Sequence, residues 1–183
     1  MSDYCENTLT ISHDDQKIIN RIVKAYERKR LFDEFIPCPK ELLDASPTAN
    51  KKNRRRFMRE YGAEDWFQWR FLNWGTKWDQ GRCKGWSTLE KLGATVIKMN
   101  IVTAYTPPTH VLDHWVDLGC DVRGSFLMEN DDQRIRYRNK RVWERGKEVD
   151  RIKNSKKFGK HPNLLWAFPS YLIMRRGCTA TAS

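Results

Sequence analysis

The feature that most constrains the fold is the alternating segment Ala94–Tyr105, which reads ATVIKMNIVTAY. Apolar residues occupy both sets of alternate positions, so the segment predicts a long strand that is central in its sheet. Pro107 and Pro108 follow and are typical of the first turn of a helix, which Gly119 then ends. The next segment, DVRGSFLME, predicts a further strand.

The N-terminal part of the chain predicts a strand followed by a helix. Asn7–Ile11 alternates in the manner of a half-buried strand. Ser12, with Asp15 three residues later, resembles a capping box and predicts that a helix begins there. In FIPCPKELL, the prolines Pro37 and Pro39 exclude a central strand and predict an edge strand that runs into a turn.

The segment that follows is polar and then strongly aromatic. Ser46–Arg56 is rich in basic residues and is predicted to be a mobile loop. YGAEDWFQWRFLNW predicts a short helix, because its aromatic residues recur every three or four positions and Glu64 and Asp65 complement the helix dipole. Gly75 is expected to end this helix.

This order of elements predicts an α+β fold, specifically a ferredoxin-like β-α-β-β-α-β sandwich with both helices on one face of an antiparallel sheet. After Asp132, RIRYR and VWERGKEVDRI predict an added basic C-terminal β-hairpin. We therefore assign residues 1–132 to a ferredoxin-like domain with an inserted basic loop and a W-G-T-K-W helix-turn. Residues 133–183 are assigned to the basic hairpin and an apolar tail, LLWAFPSYLIM, packed on the same domain.

Positive charge is concentrated in two segments. The formal net charge is +11, and Lys51–Arg59 holds six basic residues and no acid, while Gln133–Lys160 holds twelve basic residues and three acids. This distribution predicts a surface for RNA or DNA first and for an acidic protein second; the alternative is that the charges only keep the protein soluble. The candidate nucleic-acid-binding residues are Lys51, Lys52, Arg54, Arg55, Arg56, Arg134, Arg136, Arg138, Lys140 and Arg141.

The segment FLNWGTKWDQ sets two tryptophans around a Gly-Thr-Lys turn, and two interpretations of it remain open. In the first, the turn is structural: the indoles cover the sheet and Lys77 pairs with Asp79 to close the turn. In the second, the aromatic side chains form a groove that binds a base or an extended peptide, and Lys77 supplies a positive charge to it. The residues of this candidate partner-binding groove are Trp74, Thr76, Lys77, Trp78, Asp79 and Tyr105.

The sequence contains no motif for catalysis, metal binding or a cofactor. His110 and His114 share a helix face at metal-site spacing, but the glutamate of H-E-x-x-H and a third ligand are missing, so we expect a solvent-facing pair. Cys38 is expected to be a buried structural thiol, and the five scattered cysteines are expected to be reduced. We therefore expect a protein that is not an enzyme, needs no cofactor or metal, and is soluble in the cytoplasm.

Three segments carry a resemblance to a known family: CENTLTISH, YGAEDWFQWRFLNWGTKWD and TAYTPPTHVLDHW. Together they resemble the YubB-type family of phage and plasmid proteins, whose ferredoxin-like domain has N-W-G-T-K-W-D and T-A-W-S-P-P segments. The match covers about Cys5 to Glu129, with Tyr105 and Thr106 in place of the Trp and Ser of the second motif. The wider superfamily includes anti-CRISPR members, so the resemblance implies a counter-defence role inside a host bacterial cell.

These observations predict a non-enzymatic phage or plasmid counter-defence protein. Its expected partner is a host immune protein or ribonucleoprotein, the nascent chain of such a protein, or the RNA or DNA that it uses, and no membrane is expected to take part. The leading alternative is a general single-strand nucleic-acid-binding protein of a mobile element, and a third is a small nuclease whose basic strand grips its substrate.

Overall fold

The structure is a computed structural model, and it describes residues 4–45, 51–80, 87–128, 135–144 and 147–148. The fold class is α+β. Seven strands of the described ranges form one sheet in the order β2-β3-β1-β4-β5-β6-β7, and every neighbouring pair is antiparallel. The strands are β1 (Tyr4–Ser12), β2 (Thr88–Lys91), β3 (Val96–Ala104), β4 (Asp121–Met128), β5 (Ile135–Arg138), β6 (Arg141–Glu144) and β7 (Lys147–Glu148).

Five helices are described, and the two that flank the central strands begin and end as their sequences require. The Asp15 carboxylate accepts a hydrogen bond from the backbone N–H of Lys17 and so caps α1, while Gly119, at a φ of +95°, lies just beyond the end of α5. No helix among the described residues is long and apolar enough to cross a membrane. The helices are α1 (Gln16–Glu27), α2 (Lys40–Asp44), α3 (Lys51–Tyr61), α4 (Trp66–Trp74) and α5 (Thr109–Asp117).

The core lies between one face of the sheet and the helices. Alternate residues of the strands, such as Leu9 in β1 and Met99 in β3, are fully buried and belong to the same cluster as Ile22 of α1 and Trp115 of α5. The intervening strand residues are half-buried or exposed, as Lys98 is. We call this second side of the sheet the open face, and its polar composition follows from the period of two along each strand.

Most of the predicted elements are present, including the central strand β3, the strand before α1, and helix α4 with its end at Gly75. The predicted edge strand in Phe35–Leu43 is wrong, because Lys40–Asp44 forms the short helix α2 after Pro39. The edge strand is instead β2, which pairs with β3. Helix α1 begins after Asp15, not at Ser12.

The predicted loop at Ser46–Arg56 is also wrong over Lys51–Arg56, because helix α3 begins at Lys51, while residues 46–50 lie outside the described part of the chain. Lysine and arginine favour helix, and the helix is anchored by Phe57, whose side chain is buried in the core. A single deeply buried aromatic residue is a weak periodic signal, which is why the sequence pattern suggested a loop. The apolar tail and Arg134 lie outside the described residues.

Candidate functional site

The W-G-T-K-W-D turn follows α4 in the chain and is hydrogen-bonded to the end of β3. Gly75 adopts a φ of +84°, in the left-handed region that residues with a Cβ avoid, and a Cβ there would lie 3.0 Å from the backbone oxygen of Pro107. The Thr76 hydroxyl donates a hydrogen bond to the Ala104 carbonyl oxygen at 2.7 Å, and the Thr106 hydroxyl donates one to the Gly75 carbonyl oxygen. These contacts fix the turn against the end of the central strand.

Three of the six predicted groove residues lie in the interior, where a partner cannot reach them. Trp74 is fully buried and its indole N–H donates to the Ile36 carbonyl oxygen at 2.8 Å, and Thr76 is equally buried. Asp79 accepts hydrogen bonds from the backbone N–H groups of Phe32 and Asp33, at 2.9 and 3.0 Å. The expected pairing of Asp79 with Lys77 is therefore replaced by backbone contacts.

The burial of Asp79 has an electrostatic consequence. Removal of its carboxylate from water raises the pKa of Asp79, and the backbone hydrogen bonds from Phe32, Asp33 and Gln80 oppose that rise. The carboxylate joins the turn to the segment that follows α1, so its role in the described structure is to hold two loops together.

The other three predicted groove residues remain partly exposed. The Lys77 ammonium lies 4.8 Å from the centroid of the Trp78 ring, 5.3 Å from that of Phe67 and 5.9 Å from that of Tyr105. Tyr105 has a φ of +69°, which is uncommon for a residue with a side chain, and Phe67 is 39% exposed. We call Phe67, Lys77, Trp78 and Tyr105 the aromatic patch.

Sequence reasoning missed Arg70, which lies beneath this patch. The residue is buried, and its guanidinium carbon lies 4.7 Å from the Trp74 ring centroid and 5.1 Å from the Trp66 ring centroid. Such contacts stabilise a cation by the ring quadrupole. The sequence did hold a signal for its burial, because Trp66 and Trp74 lie four positions before and after Arg70 and so share its helix face.

The three consecutive arginines of the first basic segment do not share one face of their helix. Arg54, Arg55 and Arg56 are exposed, but consecutive residues of a helix point in directions about 100° apart, so they fan out around α3. Arg56 forms ion pairs with Glu41 at 2.9 Å and Glu60 at 3.8 Å. The side chains of Lys51 and Lys52 lie outside the described part of the structure.

The second basic segment forms a regular surface. Ile135 and Tyr137 of β5 are buried while Arg136 and Arg138 are exposed on the open face, which is the alternation that the sequence indicated. Lys140 lies in the turn before β6 and forms an ion pair with Asp117 of α5.

The strand register brings in an arginine that sequence reasoning missed. Arg123 of β4 pairs directly with Arg138 of β5, and Arg138 pairs directly with Arg141 of β6. All three are exposed, and directly paired residues lie on the same face of a sheet. We call Arg123, Arg138 and Arg141 the arginine row. The signal for Arg123 was present in its position between the apolar residues of DVRGSFLME.

Polar residues continue this surface across the sheet. Thr10 of β1 pairs with both Arg123 and Lys98, so a line of directly paired polar residues extends from β6 to β3. Two positions along the strands, Arg136 pairs with Ser125. The open face therefore combines cations with hydroxyl groups.

One carboxylate lies beside the arginine row. The Asp121 carboxylate accepts hydrogen bonds from the Asn139 side-chain amide at 2.8 Å and from Arg123 at 3.0 Å, and these contacts lower the pKa of Asp121. Within the described ranges, Arg136 and Arg138 form no ion pair. Like charges directly opposite each other destabilise a sheet, and the Asp121 carboxylate, which pairs with Arg123 and attracts Arg138, offsets part of that repulsion.

The remaining candidates show no reactive chemistry. Burial raises the pKa of the Cys38 thiol to about 11, although the neighbouring Arg70 opposes the shift, so the reactive thiolate is scarce near neutral pH. His114 lies beside the Phe35 ring at 6.4 Å between ring centroids, not in a metal site. Among the described residues, no three His, Cys, Asp or Glu side chains converge to hold a metal ion.

Comparison with known proteins leaves the family open. No family model matches the sequence, and no curated protein matches it. The crystal structure of the protein api92 from Yersinia pseudotuberculosis, assigned to the family model DUF1281, aligns with 82% of this chain and 97% of its own. The two share 10% sequence identity at a TM-score of 0.45, a likeness too distant to carry an argument about function.

Proposed function

We propose that this protein binds single-stranded nucleic acid on the open face of its sheet and does not cleave it. The observation that carries the proposal is the arginine row, in which Arg123, Arg138 and Arg141 occupy directly paired positions on three neighbouring strands. Neighbouring strands are about 4.8 Å apart, so the row holds closely spaced cations that a series of phosphates would neutralise.

The shape of the surface favours a single strand over a duplex. Sequence-specific duplex recognition uses a helix or ribbon that enters a groove, whereas proteins that hold single strands combine a cationic track with a surface for the bases. Ser125 lies directly opposite Arg136, and Thr10 directly opposite Arg123, and the hydroxyl groups of both can accept or donate hydrogen bonds. A phosphate backbone along this face would convert the repulsion between the arginines into a favourable contact.

We also infer a ferredoxin-like fold with an added basic C-terminal hairpin. The order β2-β3-β1-β4 with α1 and α5 in the connections supports the first part, and the antiparallel pair β5 and β6 supports the second. On this proposal residues 1–132 form the ferredoxin-like domain, and the hairpin extends its sheet and enlarges its cationic face.

The counter-defence role is the biological setting that we propose on the resemblance to the YubB-type family. The nucleic acid would then be one that a host immune ribonucleoprotein uses, and the alternative is a general single-strand-binding protein of a mobile element. The aromatic patch favours a protein contact as a second candidate function, because exposed Phe67 and half-buried Trp78 offer apolar surface around the Lys77 charge.

The proposal is tested by fluorescence anisotropy with labelled oligothymidylate and oligouridylate at a series of salt concentrations. The double variant Arg136→Gln/Arg138→Gln is expected to bind more weakly and to reduce the magnitude of the salt slope by about 1.4, since each phosphate contact on a single strand contributes about 0.7. Lys91→Gln is the matched control, because Lys91 is an exposed lysine in the same sheet whose partner is the uncharged Ile97.

The same variants separate binding from folding. The free energy of unfolding of the double variant is expected to stay constant or to rise, because relieving an opposed like-charge pair is worth about 0.2–1 kcal/mol. An unchanged affinity and salt slope in the double variant would show that the arginines only solubilise the protein. Cleavage of the oligonucleotides in the presence of magnesium would contradict the non-enzymatic part of the proposal.

A further inference from the structure

Helix α1 carries a separate concentration of positive charge on its solvent side. Lys17, Arg21, Lys24 and Arg28 follow one another at helical spacing, so they share one face of the helix and its C-terminal end. All four are exposed. Because the opposite side of α1 packs in the core against the sheet, this cationic face belongs to the helical layer and not to the open face.

These four cations line a cleft. Its volume is about 330 Å³, and Asn20 and Glu34 also contribute to its wall. Sites for small molecules have volumes of roughly 300–1,000 Å³, so the cleft has the size of a small ligand. Four positive charges against one carboxylate select a ligand that carries several negative charges.

Arg21 at the centre of the cleft is held in place before any ligand arrives. Its Nε–H donates to the Glu34 carboxylate at 2.9 Å, and its Nη2 donates to the Glu34 carbonyl oxygen at 2.9 Å. The guanidinium carbon lies 4.5 Å from the centroid of the Phe35 ring. These contacts use two of the five guanidinium N–H groups and reduce the entropy that a ligand must overcome to order the side chain.

We propose that this cleft binds the phosphate chain of a small oligophosphate. Lys17 and Lys24 lie on either side of Arg21, about 6 and 4.5 Å away along the helix axis, so successive phosphoryl groups of one chain can each reach a different cation. Arg21 supplies the oriented, forked donor set that phosphate oxygens match, and the lysines supply flexible point charges. The ligand is either an inorganic polyphosphate or the triphosphate of a nucleotide, which share this chemistry.

The test is isothermal titration calorimetry with inorganic tripolyphosphate, performed on the full chain in the Arg136→Gln/Arg138→Gln background so that the open face contributes little. We expect saturable binding with one ligand per chain. Lys24→Gln and Arg21→Gln are each expected to weaken it about tenfold or more, because each removes a charge-assisted contact. Lys24→Arg retains the charge and is expected to restore most of the affinity.

Lys40→Gln is the matched control, since Lys40 is an exposed lysine on α2 outside the cleft. Thermal unfolding of each variant shows whether loss of binding reflects loss of the fold, and Lys24→Gln serves this purpose best because the Lys24 side chain is exposed. Tighter binding of adenosine triphosphate than of tripolyphosphate assigns the site to a nucleotide triphosphate, and equal or weaker binding assigns it to the phosphate chain alone. The proposal is overturned if tripolyphosphate does not bind, or if Lys24→Gln leaves its binding unchanged. It is also overturned if the substitutions in the cleft weaken only the binding of oligonucleotides.

Discussion

A comparison of Gly75 in the W-G-T-K-W-D turn with Gly62, which follows α3, gives a quantitative prediction. Gly75 and Gly62 both have positive φ angles, +84° and +70°. A Cβ added at Gly62 meets nothing within 4 Å, whereas one added at Gly75 would lie 3.0 Å from the Pro107 oxygen and 3.2 Å from the Thr109 nitrogen. The pair therefore separates the cost of the backbone conformation from the cost of the close approach.

The expected magnitudes follow from these two terms. Gly62→Ala should lower the free energy of unfolding by about 1–2 kcal/mol, the cost of a left-handed conformation for a residue with a Cβ. Gly75→Ala bears a similar cost and must also displace backbone atoms at the start of α5, which cannot move as a side chain can. Overpacking of this kind costs about 1–3 kcal/mol, so Gly75→Ala should be the more destabilising variant by that amount.

Urea denaturation followed by tryptophan fluorescence measures both variants, because buried Trp74 adjoins the turn and reports its unfolding. The folded Gly75→Ala protein should still bind oligonucleotides, since the arginine row lies on a different part of the sheet. Equal destabilisation by the two substitutions would refute the argument, because it would mean that the contact between the turn and α5 constrains nothing.

Two further predictions concern the same turn and the open face. Trp74→Ala should cost about 3–5 kcal/mol of unfolding free energy in urea denaturation, as for other buried tryptophans. Trp78→Ala should cost clearly less, because Trp78 is half-buried, and equal losses would contradict this difference. The depressed pKa of Asp121 stabilises the fold above about pH 4, and that stability is lost as pH falls through the lower folded pKa. The stability difference between the wild type and Asp121→Asn should therefore shrink on acidification, and a difference independent of pH would contradict it.

The sequence predicted the elements whose burial is strongly periodic. The alternation in Ala94–Tyr105 indicated β3, and the glycine after the aromatic helix indicated where α4 ends. It failed where tertiary contacts decide the structure. Edge strand β2 has mostly exposed residues and exists because it pairs with β3, so Thr88–Lys91 shows no alternation to recognise.

The same limit applies to the candidate site. Charge and alternation identified Arg136 and Arg138, but only the strand register shows that Arg138 lies between Arg123 and Arg141. Arg70 was missed because arginine is normally exposed, and its burial depends on rings that close over it after α4 has packed. Interactions between distant segments, which no local pattern records, produce both arrangements.

The buried face and the open face of the sheet differ in composition, and this difference makes the proposed function testable. The buried face supplies the apolar core, so its residues determine stability. The open face places Arg138 directly between two other arginines, an arrangement of like charges that packing of the core does not require. On the proposed function, a polyanionic ligand would remove the repulsion between these arginines when it binds. Substitutions on the open face should therefore change affinity while leaving the fold intact.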